Sequence, residues 1–315
     1  MKAIVYGSDD RFDVVDIEEP VPAADEVAIR VEYAGIQWGD VLVRSGHFPV
    51  PRPFVPGFEA AGRIVAVGGD VDPERIGQQV TALTSAGAYA EIAVAPAVLT
   101  FEAGDLDPRV AAGFGWITPT AYDLINTATR VRSGERVLIH AASGGVGSLA
   151  AQFAKAAGAA RIVGVVDSVD RIDYAHQFGY DELVSSDQFL SGMADEHFDV
   201  ILDPIGGPTR LANLELLAPH GRLAIYGNIA TFEPVNFDAN QLLMSGKSVL
   251  AYNSNLLSQT DPERLAESAS RALRFVAAGD VRIDVTAEYE MAELATAIER
   301  LAQGNTRGKS IVRIA

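Results

Sequence analysis

Residues 135–168 read ERVLIHAASGGVGSLAAQFAKAAGAARIVGVVDS, and this stretch decides the fold of the chain. Short apolar runs flank a glycine cluster and an Ala-rich segment, a pattern typical of two buried strands joined through a helix. We therefore predict a strand, a glycine turn, a helix and a second strand, in that order, over Arg136–His140, Gly144–Gly147, Ser148–Ala157 and Arg161–Val166.

The glycine turn predicts a dinucleotide site. Backbone N–H groups and a helix N-terminus at such a turn can meet a pyrophosphate, and Asp167, twenty residues past Gly147, stands where a ribose hydroxyl would bind. The predicted cofactor contacts in this stretch are Ser143, Gly144, Gly145, Val146, Gly147 and Asp167. Ala142 replaces the first glycine of the common G-x-G-x-x-G form, which is tolerable if its φ is negative.

Composition narrows the function classes. The chain has 315 residues, which suggests two domains, and its formal charge of −17 argues against nucleic acid or an anionic membrane as partner. It has no cysteine, so disulfides and thiolate metal sites are excluded. No apolar run approaches the 18–20 residues of a membrane span, and no signal peptide is visible. We expect a cytoplasmic protein.

The chain changes character along its length. The first hundred residues alternate β patterns with Pro- and Gly-rich turns, which favours an antiparallel barrel-like domain. Strand and helix patterns then alternate from Arg136 to about Ser254 and fit a six-stranded Rossmann doubly wound parallel sheet. The last sixty residues contain two amphipathic helices and a closing strand. We expect an α/β protein with a β domain over 1–118 and 255–315 and a dinucleotide-binding domain over 119–254.

Three motifs carry a family resemblance. HAASGGVGSLAAQFAK, DVLVRSGHFPVPRPFVPGFEAAG and GRLAIYGN closely resemble the zinc-independent quinone oxidoreductase branch of the medium-chain dehydrogenases and reductases. The resemblance runs along nearly the whole chain. It implies a GroES-like N-terminal domain, NAD(P)H as cofactor, a homodimer formed through the sixth Rossmann strand, and hydride transfer to a small-molecule quinone.

Comparison with zinc-dependent relatives explains why no metal is expected. Those relatives carry a Cys and a His ligand where this chain has Gln37 and Phe58, so Glu59 would be left alone. One carboxylate cannot hold a tetrahedral zinc ion. Without such a Lewis acid, reduction of an already polarised acceptor is favoured over oxidation of a simple alcohol.

The resemblance also implies site residues. Asn228 and Asn253 border the nicotinamide end of the cofactor, and Thr120 approaches it near the first Rossmann strand. Gln37 is the candidate polar group at the reacting carbonyl, where the branch often has Asn; the alternative is a hinge or surface glutamine.

Two further candidates follow that loop. Phe48 stands where the branch often has Tyr and could stack on a planar substrate. His47 could replace the missing acid or be merely exposed. We expect Asp40 and Arg44 to form a structural pair that holds the loop.

The residues that would distinguish NADH from NADPH do not agree with the family expectation. Relatives that use NADPH tend to have a small residue at the end of the second strand, a Lys four residues later and a Tyr after the third strand; this chain has Asp167, Arg171 and Ser186. A carboxylate at Asp167 favours NADH because it repels a 2′-phosphate, against the family expectation of NADPH. Arg171 could instead clamp that phosphate, or pair with Asp167 or Asp170.

Two other functions stay open. An enoyl or enone reductase would act on a conjugated carbonyl or thioester through the same cofactor. A non-catalytic nucleotide-binding protein would bind the cofactor without turnover, because a fold does not determine a function.

Overall fold

A computed structural model of the chain describes residues 1–193 and 196–315. Its backbone divides into two units, the first formed by residues 1–119 and 258–315 and the second by residues 120–257.

The secondary structure is mixed throughout. The strands are β1 (Lys2–Tyr6), β2 (Phe12–Asp16), β3 (Glu26–Ile36), β4 (Glu59–Val67), β5 (Gln79–Leu83), β6 (Ile92–Pro96), β7 (Thr100–Glu102), β8 (Arg136–His140), β9 (Arg161–Val166), β10 (Glu182–Ser185), β11 (Phe198–Asp203), β12 (Leu217–Ile225), β13 (Ser248–Ala251), β14 (Val285–Glu290) and β15 (Lys309–Arg313). The helices are α1 (Trp38–Arg44), α2 (Pro108–Phe114), α3 (Ile117–Asp123), α4 (Gly145–Ala156), α5 (Ile172–His176), α6 (Phe189–Gly192), α7 (Gly207–Leu216), α8 (Ala239–Ser245), α9 (Ser254–Thr260), α10 (Pro262–Ala277) and α11 (Leu294–Ala302).

The first unit is built on a seven-stranded sheet in the order β14-β15-β3-β4-β5-β7, with β6 paired to β3. Its pairings are antiparallel except that of β14 with β15. The core joins strand residues such as Val31 and Val312 to Leu294 and Ile298 of α11, all fully buried. Burial of the apolar face of α11 thus packs the end of the chain against the strands of the first unit.

The second unit is a six-stranded parallel sheet in the order β10-β9-β8-β11-β12-β13. The middle residues of its inner strands β8, β9 and β11 are apolar and buried, because helices cover both faces of such a sheet. The strand order changes direction on either side of β8, and ligands bind at the carboxyl ends of the strands at such a switch point. The predicted α/β fold, a Rossmann sheet with a GroES-like domain, is confirmed.

Some boundaries differ from the prediction. Helix α4 begins at Gly145, three residues before the predicted Ser148, so two glycines of the turn lie inside its first turn. The last strand of the Rossmann sheet is short, and β14 was not predicted. Strand β14 alternates apolar and polar residues, VTAEYE, at the edge of its sheet; this alternation is a strand signal that the prediction missed.

Candidate functional site

The glycine turn after β8 is tighter than the sequence suggested. None of its glycines has a positive φ; the left-handed residue is Ala141, with φ +52°, an uncommon conformation for a residue with a side chain. A Cβ on Gly147 would lie 2.3 Å from Ala141 O and 2.9 Å from Ala142 Cα. These glycines are therefore not needed for a left-handed backbone, and at Gly147 the missing side chain lets the helix pack closely on the strand. The condition set for Ala142, a negative φ, holds.

The turn presents a helix N-terminus at the carboxyl edge of the sheet. Gly144 is the extended N-cap of α4, and the N–H groups of the first helical turn have no partner inside the helix. Tyr180 Oη, which the sequence did not single out, donates a 2.8 Å hydrogen bond to Gly147 O and holds the turn from beneath. The N–H groups at the N-terminus of α4 fit a pyrophosphate.

Asp167 follows β9 at the same edge. Its carboxylate is 2.9 Å from Arg171 Nε, one helical turn away, and is half exposed. Ser186 Oγ donates to the Asp167 carbonyl at 3.1 Å. Of the alternatives open for Arg171, the structure shows the pairing with Asp167.

Asn228 follows β12 and belongs to a buried polar cluster. Asp203, at the end of β11, is fully buried and lies 3.3 Å from Arg210 Nε. The Arg210 guanidinium also donates to Asn228 Oδ1, at 3.3 Å from both Nη atoms, and to Gly227 O at 2.8 Å. Neither Asp203 nor Arg210 was predicted as a site residue. An arginine in the first turns of a helix after an Asp-ended strand was the signal in the sequence.

Asn253 and Thr120 are connected through their neighbours. Asn253 Oδ1 accepts the Leu256 N–H at 3.0 Å at the start of α9. The adjacent Tyr252 Oη donates to Asp123 Oδ2 at 2.7 Å, and Asp123 lies one helical turn after the buried Thr120 on α3. This hydrogen bond thus joins the loop with Asn253 to the helix with Thr120.

Gln37 immediately precedes α1 in the first unit. Its backbone N–H donates to Asp40 Oδ2 at 2.9 Å, and its side chain is half-buried. Asp40 is almost fully buried and also accepts from Tyr89 Oη, whereas Arg44 is exposed and donates to Ala295 O at 2.8 Å. The predicted Asp40–Arg44 pair is therefore wrong, because α1 turns the carboxylate inward and the guanidinium outward.

His47 and Phe48 lie beyond the C-terminal end of α1. Both are exposed, and His47 Nδ1 is 2.9 Å from Ser45 Oγ. Phe48 retains 40% of its accessible surface, so its ring is free to take up a planar partner.

The Glu59 carboxylate binds two other groups of the first unit. It forms an ion pair with Lys309, both side chains being almost completely buried, and it accepts the Trp116 N–H at 2.9 Å. The backbone oxygen of Phe58 accepts Trp116 Nε1 at 2.7 Å. An amide, a phenyl ring and a carboxylate already paired with an ammonium group do not fit a tetrahedral zinc ion.

The residues that the structure describes form neither a metal-binding group nor a membrane-spanning helix. In residues 1–193 and 196–315, no three His, Asp or Glu side chains are grouped so that they could bind a metal ion together. Over the same residues, no helix is long and apolar enough to cross a bilayer.

Comparison with known proteins agrees with this geometry. Residues 23–105 match the alcohol dehydrogenase GroES-like domain, and residues 145–271 match the zinc-binding dehydrogenase family. A quinone oxidoreductase of Pseudomonas aeruginosa is 31% identical over 98% of this chain and 97% of its own length. The quinone oxidoreductase structure from Pseudomonas syringae superposes with a TM-score of 0.88 at 28% identity. The superposition covers 99% of this chain and 100% of that chain.

The Escherichia coli quinone oxidoreductase, whose structure was determined in complex with NADPH, also has a TM-score of 0.88, at 25% identity, with 99% of this chain and 100% of that chain covered. Similarity over the full length of both chains extends through both units and includes the glycine turn. The chain belongs to the quinone oxidoreductase branch of the medium-chain dehydrogenase/reductase family, a family of oxidoreductases.

Proposed function

We propose that the protein is an NAD(P)H-dependent quinone oxidoreductase that works without zinc. The observation that carries the proposal is the turn of Gly144–Gly147, where glycine packs against Ala141 O and leaves the N-terminus of α4 open to a pyrophosphate. Membership of a family whose named relatives are quinone oxidoreductases supports the choice of acceptor.

The second unit supplies the cofactor contacts in this proposal. Ser143 to Gly147 hold the pyrophosphate, Asp167 accepts from the ribose hydroxyls, and Thr120, Asn228 and Asn253 surround the nicotinamide end. These residues follow β8, β9, β12 and β13 or lie on α3, and the four strands end at one edge of a parallel sheet. The bound cofactor would supply a hydride for the acceptor.

We assign the acceptor side to the first unit. Gln37 would donate a side-chain N–H to a quinone oxygen that gains charge during reduction, and Phe48 would cover the planar ring. His47 is exposed and has an imidazole suited to proton delivery, although water can also protonate a hydroquinone anion.

Two finer points complete the proposal. The half-exposed Asp167 carboxylate favours NADH, because it would face a 2′-phosphate of NADPH with like charge. The edge strand β13 favours a homodimer, because an unpaired sheet edge is a template for pairing with a second copy.

The test is oxidation of NADH and of NADPH, followed by absorbance with a simple benzoquinone, a bulky ortho-quinone, a short enone and crotonyl-CoA. We expect turnover with the quinones. Turnover restricted to the enone or the thioester would identify an enoyl or enone reductase. Tight cofactor binding with no turnover of any acceptor would favour the non-catalytic alternative.

A further inference from the structure

One half-buried amide in the second unit is held by a buried guanidinium. Asn228 follows the carboxyl end of β12, and Arg210 is in α7, directly after the neighbouring strand β11. Arg210 Nη1 and Nη2 each lie 3.3 Å from Asn228 Oδ1. The two residues are 18 positions apart, and the parallel pairing of β11 with β12 brings them together.

The guanidinium is itself fixed from two other sides. Its Nε lies 3.3 Å from Oδ2 of the fully buried Asp203, and its Nη2 donates to Gly227 O at 2.8 Å. Asp203 Oδ1 in turn accepts the N–H groups of Ile205 and Gly206, at 2.7 and 3.1 Å. A planar fork that is held at Nε and at Nη2 by two fixed partners has one orientation, so the position of Arg210 is determined by the fold.

This arrangement decides which way the Asn228 amide faces. Arginine has donors and no acceptor, so the oxygen of the amide must be the atom that faces it. The two N–H bonds of Asn228 Nδ2 therefore point away from Arg210, and the side-chain hydrogen bonds of Asn228 to described residues all go through Oδ1. The backbone around them is also fixed: Ile229 N–H donates to Pro204 O at 2.8 Å, and Ala230 N–H donates to Ile205 O at 3.0 Å.

We infer that Arg210, anchored by Asp203, is a positioning residue that presents the Asn228 amide as a pure hydrogen-bond donor to an acceptor oxygen of the bound nicotinamide dinucleotide. The inference rests on the proposed function. It adds two residues that do not touch the cofactor but determine the polarity of one that does. A free asparagine could rotate by 180° and present its oxygen instead; here that rotation would bring Nδ2 against a cation.

The first test changes the amide and leaves Arg210 in place. Asn228→Asp keeps an oxygen toward the guanidinium and replaces the donor by a second acceptor. We expect an unchanged or higher melting temperature and a cofactor dissociation constant raised about tenfold, measured by titration calorimetry with NADH and NADPH. Asn228→Ala, which removes the donor without adding charge, should weaken binding to a similar extent. Weakening by Asn228→Asp alone would indicate charge repulsion and would overturn the inference.

The second test changes the guanidinium. Arg210→Met should raise the dissociation constant about three- to tenfold, and Arg210→Lys should restore part of the affinity. The double variant Arg210→Met with Asn228→Ala should bind no more weakly than Asn228→Ala alone, because both changes remove the same oriented donor. Additive losses would overturn the positioning role.

Arg222→Met is the matched control. Arg222 is also a largely buried arginine of the second unit, but its guanidinium donates to Glu135 at 2.7 and 2.8 Å and to Thr129 O at 2.9 Å. It should lose stability as Arg210→Met does while keeping cofactor affinity. Absence of binding by the unchanged protein would overturn the proposed function and this inference together. Normal binding by the unchanged protein and by Asn228→Asp would overturn the inference alone.

Discussion

Tyr89 Oη donates a 2.8 Å hydrogen bond to Asp40 Oδ2 in the interior of the first unit. The same oxygen accepts the Gln37 N–H at 2.9 Å, so a buried tyrosine, a buried carboxyl and the start of α1 form one connected group. Asp40 Oδ1 is buried and has no partner among the described residues. Burial raises the pKa of Asp40 to about 7, so its unpartnered oxygen is a place for a proton.

Asp40 should make stability fall as pH rises. Between its ordinary pKa of 3.8 and about 7, the folded protein keeps a proton that the unfolded chain releases, so unfolding is favoured as pH increases through this window. Relative to Asp40→Asn, the free energy of unfolding of the unchanged protein should drop by about 1–4 kcal/mol from pH 5 to pH 8. Urea denaturation followed by circular dichroism measures this. Parallel pH curves for the two proteins would contradict it.

Tyr89→Phe should extend to higher pH the range over which the free energy of unfolding falls. The hydroxyl stabilises the carboxylate form of Asp40, so its removal leaves the charged form less favoured and raises the pKa of Asp40 further. The pH at which stability stops falling should then move above that of the unchanged protein. No movement of that pH would mean that the hydroxyl contributes little to the charge state.

Lys309→Met should destabilise the first unit strongly. It would leave the Glu59 carboxylate buried without its cation, with the Trp116 N–H donating to it at 2.9 Å. Breaking one side of a buried ion pair costs about 3–5 kcal/mol. The double variant with Glu59→Gln should recover most of this loss, because the amide is neutral and can still accept from Trp116. Additive losses in denaturant unfolding would show that the charge is not the cause.

Gly147→Ala should damage the cofactor site more than Gly144→Ala. The new Cβ at 147 would meet backbone atoms at 2.3 and 2.9 Å, so α4 must shift, whereas at 144 the nearest atom is Ala141 O at 3.2 Å. We expect Gly147→Ala to lose about 1–3 kcal/mol of stability. Its dissociation constant for NADH or NADPH should rise by at least about tenfold, the effect of one lost phosphate hydrogen bond. Equal effects of the two substitutions would contradict a steric role of Gly147.

Asp167→Ser should shift cofactor preference toward NADPH. It removes the carboxylate that would face a 2′-phosphate and that now lies 2.9 Å from Arg171 Nε, so the guanidinium can contact that phosphate instead. The ratio of kcat/KM for NADPH to that for NADH should rise about tenfold or more, as one charge-assisted contact is gained. Asp173→Ser, an exposed acid on the following helix, is the control and should leave the ratio unchanged. An unchanged ratio for Asp167→Ser would remove Asp167 from the ribose site.

Ala251→Pro should separate the proposed dimer without unfolding the sheet. Tyr252 N–H donates to Ile225 O, and N–H groups alternate in direction along a strand, so the Ala251 N–H points away from β12. Proline at position 251 therefore removes an N–H donor that faces away from the sheet and leaves the hydrogen bonds between β12 and β13 in place. Light scattering after gel filtration should show half the mass, with circular dichroism unchanged. A single-chain mass for the unchanged protein would contradict the dimer itself.

The sequence by itself determined the local elements of the cofactor half. Strand β8, the glycine turn, the following helix and Asp167 are close in the chain. They could be predicted because hydrophobic periodicity and the positions of the glycines are local features of the sequence. Parallel strands joined by helices end at one edge of their sheet. The placement of Asn228 and Asn253 after two such strands therefore followed from their position in the sequence and from the family resemblance.

Only the tertiary structure decided how those residues are held. Glu59 meets Lys309 across 250 positions of sequence, and Asp40 meets Tyr89 rather than Arg44, because strand pairing and helix rotation select partners that no local pattern specifies. Arg210 acquires its role in the same way, when two adjacent parallel strands bring it against Asn228. The sequence identifies residues that can donate or accept, and long-range packing determines which of these groups meet and which stay free for a ligand.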